Sequence, residues 1–212
     1  MSAMSRTVLT IGVFDGVHKG HQEILNRAKE IADGGTVIAV TFDPHPTKIF
    51  APDRAPSLLV TLADRVVLLK IHNADQVAVI KFDEKFAAMS PELFVKDVLA
   101  AQLQATDVVV GENFTYGHKA AGNVESLIAT GKECGLTIHV LSLAESEKEA
   151  VSSTRIRRLV TDGHVESARE LLTRPHRLDG IVVHGEKRGR EIGYPTANLG
   201  NIDGAFLLFA QS

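Results

Sequence analysis

Residues 8–21 read V-L-T-I-G-V-F-D-G-V-H-K-G-H, from Val8 to His21. An apolar, β-branched run reaches Val13. From Gln22 onward Ile24, Leu25, Ala28 and Ile31 recur at helical spacing. The stretch is therefore the turn between a strand at 8–13 and a helix at 22–31. It sets His18 and His21 where a helix begins. Backbone N–H groups lack partners there and the helix dipole is positive, which suits phosphate. Gly12 and Gly16 read as sharp-turn positions, and Gly20 removes a side chain where a ligand approaches. Paired histidines in this place can donate hydrogen bonds to a phosphate as it gains charge, so the stretch points to nucleotide chemistry.

The alternation repeats along the chain. Residues 36–42, T-V-I-A-V-T-F, are apolar enough for a strand covered on both faces. A helix at 62–71 and a strand at 76–80 follow. Ser90-Pro91-Glu92 supplies a cap, a proline at the first helical position and an early acid, for a helix to about residue 103. A strand at 107–110, a helix at 123–134 stopped by Gly135, a strand at 137–141 and helical segments at 154–160 and 165–172 complete the series. This pattern predicts an α/β fold with a Rossmann-like, doubly wound parallel sheet and right-handed crossovers. Ligands of such sheets bind beyond the carboxyl ends of the strands. Four loops fall at that edge: 14–21, Asp43-Pro44-His45-Pro46, 111–117 and 152–155.

Composition narrows the function. A chain of 212 residues holds one domain, or one and part of another. The net charge of −3 argues against bulk nucleic-acid binding, so phosphate must be met by local groups. The single cysteine, Cys134, leaves neither an internal disulfide nor a multi-cysteine zinc site. The apolar run near the start is too short for a membrane span or a signal peptide. A cytoplasmic protein without membrane or nucleic-acid partners is expected.

Ser152-Ser153-Thr154-Arg155-Ile156-Arg157-Arg158 is the second chemical signal. Helix capping explains one hydroxyl. It does not call for three hydroxyls followed by three arginines within seven residues, whereas arginine forks fit phosphate oxygens. Arg155 and Arg158 share one helical face and Arg157 points elsewhere, so not all serve one ligand. The Asp43-to-Pro46 turn reads equally as a proline-stiffened turn or as one side of a ring-and-phosphate site. Asn113, Phe114 and Tyr116 suit an aromatic heterocycle, by stacking and amide hydrogen bonding. A third ligand of metal spacing near His18 and His21 is not obvious.

I-G-V-F-D-G-V-H-K-G-H-Q, T-F-D-P-H-P, V-V-G-E-N-F-T-Y-G and V-S-S-T-R-I-R occur in an order that resembles the prokaryotic bifunctional FAD synthetase family, riboflavin kinase/FMN adenylyltransferase, over almost all of residues 7–172. The H-x-G-H element alone is shared with the wider nucleotidyltransferase superfamily. The resemblance implies transfer of AMP from ATP to FMN, giving FAD and pyrophosphate, with Mg²⁺. It assigns His18, His21 and Arg157 to catalysis at the phosphates. Gly12, Phe14, Asp15, Gly16, Gly20, Ser153 and Thr154 join them in binding ATP. Asp43, Pro44, His45, Pro46 and Asn113 fall on the FMN side. Two other readings are a transferase of this fold acting on another phosphorylated acceptor, and a non-catalytic flavin- or nucleotide-binding remnant.

After the linker Thr173-Arg174-Pro175-His176-Arg177 the pattern changes to turn-rich β composition, with a strand at 178–184 and Gly193-Tyr194-Pro195-Thr196-Ala197-Asn198. This resembles the opening of the family's riboflavin kinase module. There Thr196 and Asn198 would lie near a Mg-nucleotide. The expected division is 1–172 for an adenylyltransferase domain and 173–212 for a linker and the first piece of a β-barrel kinase domain. Two strands cannot close a barrel. A truncated kinase module without kinase activity, and a tail that is mobile or packed by its apolar end, are therefore expected.

Overall fold

The computed structural model describes residues 6–142, 151–183, 193 and 198–200. Thr196 and the side chain of Asn198 lie outside them, as do Tyr194 and Pro195.

Five strands, β1 (Thr7–Ile11), β2 (Thr36–Asp43), β3 (Gln76–Lys81), β4 (Asp107–Gly111) and β5 (Thr137–Leu141), form one parallel sheet in the order β3-β2-β1-β4-β5. Alternation along β1 decides what each face buries. Leu9 and Ile11 pack with Val108 and Val110 against the helix that starts at Pro91 and against Leu127 of the helix Val124–Glu133. Val8 and Val109 face the other way, onto Ile24, Ala28 and Ile31 of α1 (Lys19–Ala32). Phe14, Leu25 and Leu69 extend that second face over Ala39. Helices thus cover both faces, as the apolar strand sequences require.

The remaining helices are α2 (Thr47–Phe50), α3 (Leu62–Ile71), α4 (Glu84–Ala87), α5 (Pro91–Leu93), α6 (Val124–Glu133), α7 (Ser153–Thr161) and α8 (Val165–Leu172). Ser90 caps α5, which continues in a wider π winding over Phe94–Gln102. Asn123 and Ser126 exchange side-chain and backbone hydrogen bonds as a capping box for α6. α7 and α8 pack on Leu59 through Ile156, Val160, Ala168 and Leu172. Beyond them β6 (Ile181–Val183) pairs antiparallel with β7 (Asn198–Gly200) in a separate two-stranded sheet.

The chain leaves β1 for a helix on one face of the sheet and leaves β4 for a helix on the other. A crevice opens between these diverging ends, and the site lies there.

Candidate active site

The loop after β1 is tightly wound. Phe14, Gly16 and Val17 all have left-handed backbone, at φ 53°, 83° and 42°. For Phe14 and Val17 this is a costly conformation, which the full burial of both side chains helps to hold. Gly16 has a further reason to lack a side chain: a Cβ would lie 2.9 Å from Leu59 Cδ1 and 3.2 Å from Leu172 Cδ2. Gly12 does not take a left-handed turn. It makes room for the Phe14 ring, which a Cβ would meet at 3.3 Å. The chain does bend at Gly12, as the sequence reading expects, but without a left-handed backbone.

α1 starts three residues earlier than its apolar spacing suggests, at Lys19, with His18 at its N-cap. The His18 ring therefore stands on the first turn beside that of His21, the two stacked with centroids 3.6 Å apart. The edge of Phe14 meets His21 at 5.1 Å. Nδ1 is sealed from solvent and without a hydrogen-bond partner on both histidines. Burial pushes His18 down to about 4, with the cations of Arg157 and Arg174 acting in the same sense. Burial, then His18 and Arg65, hold His21 well below the usual imidazole range. Both rings are neutral near pH 7, each offering one N–H.

Asp15 organises the opposite wall. Its carboxylate accepts from Leu59 N–H at 2.9 and 3.1 Å and from Arg157 Nη2, and its carbonyl accepts from Ser153 Oγ at 2.8 Å. Arg157 also donates Nε to the Ser57 carbonyl at 2.8 Å. Ser152 is the N-cap of α7, accepting from Arg155 N–H. One hydroxyl of the triplet thus caps, one anchors to Asp15, and Thr154 stays exposed at the helix mouth. Two helix N-termini, of α1 and α7, face the same space.

That space is a cavity of about 620 Å³. Its walls include Gly12, Phe14, Asp15, His18, Gly20, His21, Ser153, Thr154 and Arg157, which join residues from two of the four loops. His45 and Asn113 bring in the others. A second cavity of about 360 Å³ adjoins it, and Gly12, Val13, Asn113 and Phe114 line both. Six of the nine phenylalanines of the chain (Phe42, Phe50, Phe82, Phe86, Phe94 and Phe114) and Tyr116 line the second cavity. Phe114 and Tyr116 stack at 5.5 Å and 10°. Pro46 borders this aromatic cavity, while Asp43, Pro44 and Gly16 line neither space.

Several residues here carry no signal in the sequence. Phe50, Phe82 and Phe86 belong to no motif. Arg65 reads as an ordinary helical charge, yet it is fully buried, donating Nη1 to Thr41 Oγ1 at 3.2 Å and to the Phe42 carbonyl at 3.1 Å, with Nε and Nη2 unpartnered. Thr41 Oγ1 in turn donates to the Val13 carbonyl at 3.0 Å. Buried behind β2, this chain of bonds steadies the loop from below.

The described residues contain no group of three His, Cys, Asp or Glu placed to hold a metal ion. Asp15, the carboxylate in the cavity wall, is already occupied by Arg157 and Leu59. The protein donors present do not form a Mg²⁺ site by themselves. Mg²⁺ at nucleotide sites is commonly held largely by phosphate oxygens and water.

A family model described as FAD synthetase matches residues 1–155. The chain belongs to that family. A second model, described as riboflavin kinase, matches residues 172–208. Among relatives, the bifunctional riboflavin kinase/FMN adenylyltransferase of Bacillus subtilis (strain 168) is 39% identical over 201 residues, covering 92% of this chain and 62% of that protein. Its counterparts in Buchnera aphidicola and Escherichia coli (strain K12) are 35% and 36% identical, covering 92% and 91% of this chain and 64% and 62% of theirs. The chain thus spans less than two thirds of the length of these relatives. A crystal structure of the macrolide-efflux protein from Streptococcus pneumoniae is similar at TM-score 0.86 and 32% identity, covering 98% of this chain and 68% of that one. Thermotoga maritima TmcAL, bound with alpha-thio ATP, shares the fold at TM-score 0.53 and 16% identity, over 78% of this chain and 52% of its own. Among the described residues of this FAD synthetase family member no helix is long and apolar enough to cross a membrane.

Proposed function

We propose that this chain is an FMN adenylyltransferase, which moves AMP from ATP to FMN and releases pyrophosphate. One observation carries the reading: a cavity holding His18, His21 and Arg157 under two helix N-termini runs, through the Gly12–Val13 and Asn113–Phe114 seam, into a cavity walled by aromatic rings. The first suits a triphosphate and the second a planar heterocycle bearing its own phosphate. Relatives named for FMN adenylyltransferase support the same pairing.

The residues present match what this chemistry needs. An oxygen of the FMN phosphate, already anionic, attacks the α-phosphorus in line, and pyrophosphate leaves. No protein nucleophile or general base is called for, so catalysis rests on positioning and on stabilising charge. His18 and His21 donate N–H to the α- and β-phosphate oxygens as negative charge builds there. Arg157, fixed by Asp15 and the Ser57 carbonyl, presents a pre-set cation beside them. The N–H groups of α1 and α7 complete the cradle. Mg²⁺, carried on the ATP phosphates, would lower the charge the attacking phosphate must approach. Asn113, at the seam, is placed to orient the flavin. His45 lies on the ATP side of that seam and Pro46 on the flavin side.

Residues 1–172 form the adenylyltransferase unit in this reading, and 173–212 open a riboflavin kinase module. The test is one assay of the 212-residue chain with ATP and Mg²⁺, riboflavin and FMN being supplied separately and the flavins resolved by chromatography. FAD and pyrophosphate formed from FMN sustain the proposal. Binding of both substrates with no pyrophosphate released would leave a binding remnant instead.

A further inference from the structure

The loop that carries His18 and His21 is held from outside by the segment that follows α8. Arg174 donates Nη2 to the Gly16 carbonyl at 2.8 Å and Nη1 to the Leu172 carbonyl at 3.1 Å. Gln22, on α1, donates Nε2 to the Val17 carbonyl and to Thr173 Oγ1, both at 2.9 Å. His176 Nε2 lies 3.2 Å from the Leu59 carbonyl, whose residue packs against Gly16. Residues 172–176 therefore grip the strained turn Phe14–Val17 at several points. They lie beyond the FAD synthetase match, which ends at 155, and inside the riboflavin kinase match, which begins at 172.

We propose that Arg174 is a positioning residue for adenylyl transfer: by holding the Gly16 carbonyl it fixes the turn from which His18 and His21 meet the phosphates. The inference rests on the adenylyltransferase reading above. Arg174 lines neither cavity, so it acts through the loop and not on a substrate. Geometry explains why an arginine is used. Its planar fork reaches two carbonyls at once, that of Gly16 in the turn and that of Leu172 at the end of α8. The opening residues of the second module are thereby a working part of the first module's site.

The test uses the full chain with Arg174→Met, Arg174→Lys and, as a control, Arg177→Ala, which removes only an exposed ion pair with Asp179. Arg174→Met is expected to lower kcat about 100-fold, the scale of a small misplacement of reacting groups. The KM for FMN, bound by the aromatic cavity, stays within about threefold. Amide exchange rises at residues 16–21 and not in the central strands. Arg174→Lys recovers about tenfold of the loss, because one carbonyl is still held. Kinetics of Arg174→Met that match the control overturn the proposal. So does a kcat loss accompanied by faster exchange throughout the sheet, which means general destabilisation. Should the unaltered chain make no FAD, the adenylyltransferase reading fails. The exchange pattern and calorimetry of ATP binding to Arg174→Met then still decide whether Arg174 shapes the loop.

Discussion

The imidazole of His18 lies over that of His21 with the two planes 18° from parallel. His18 also lowers the readiness of His21 to take a proton, because two cations cannot share that spacing. The stack is thus a pair of neutral donors near pH 7, and its electrostatics set the first expectation.

Stability should fall as pH drops from about 6.5 toward 4. An unfolded imidazole takes a proton near 6.5, whereas His18 in the fold resists until about 4. Across that window the unfolded state binds more protons, so unfolding is favoured, and the loss levels off below about 4. The depression corresponds to about 3 kcal/mol for His18 alone at full extent. His21 acts in the same direction. Urea midpoints at pH 7.5, 6 and 5 read the effect; a flat series refutes it.

His21→Ala should cost about 100-fold or more in kcat, the scale of one lost donor to a developing oxyanion. The fold should persist, because the histidine Nδ1 makes no internal hydrogen bond that the core depends on. Pyrophosphate release together with far-UV circular dichroism checks both halves. An unchanged rate removes His21 from the mechanism.

Arg157→Met should act on stability and activity together. It leaves the Asp15 carboxylate, 2% exposed, as a buried charge without its cation. Breaking such a pair from one side costs about 3 kcal/mol. Adding Asp15→Asn to Arg157→Met should return part of the stability and none of the transfer. Stability restored in parallel with activity would contradict this division.

Phe50→Ala separates flavin binding from folding. Phe50 is 54% exposed yet lines the aromatic cavity, touching Phe82 ring to ring at 5.6 Å. Its loss is expected to raise the KM for FMN about tenfold, the worth of one stacking contact. The KM for ATP and the melting temperature should hardly change. A variant with unaltered FMN kinetics would place the flavin elsewhere.

How much of this was legible in the chain differs by region. Leu62–Ile71 and Thr137–Leu141 have the bounds their periodicity indicates, and the other central strands agree to within a residue or two. Local patterns suffice where apolar residues repeat at 2.0 or 3.6. The polar half of the site was legible too, because His18, His21, Ser153 and Arg157 sit in two short motifs at element ends. The aromatic half was legible only in part, at Phe114 and Tyr116. Phe42, Phe50, Phe82, Phe86 and Phe94 are scattered over more than 50 positions, and only tertiary folding gathers them. Residues 47–61 show no period, yet they supply Phe50, Arg54 and Leu59. The burial of Arg65 depends on Thr41 and the Phe42 carbonyl, partners that no local pattern reveals.

The bonds that close the histidine loop span long stretches of chain: Ser153 to Asp15 bridges 138 positions, Arg157 to Asp15 bridges 142, and Arg174 to Gly16 bridges 158. Contacts this distant form late, after the loop-closure entropy has been met by the sheet. During synthesis, the five-stranded framework can assemble while residues 153–174 are still to come. A growing chain is therefore expected to acquire its shape well before it acquires a competent reaction centre, and pulsed amide labelling should find residues 14–18 protected last.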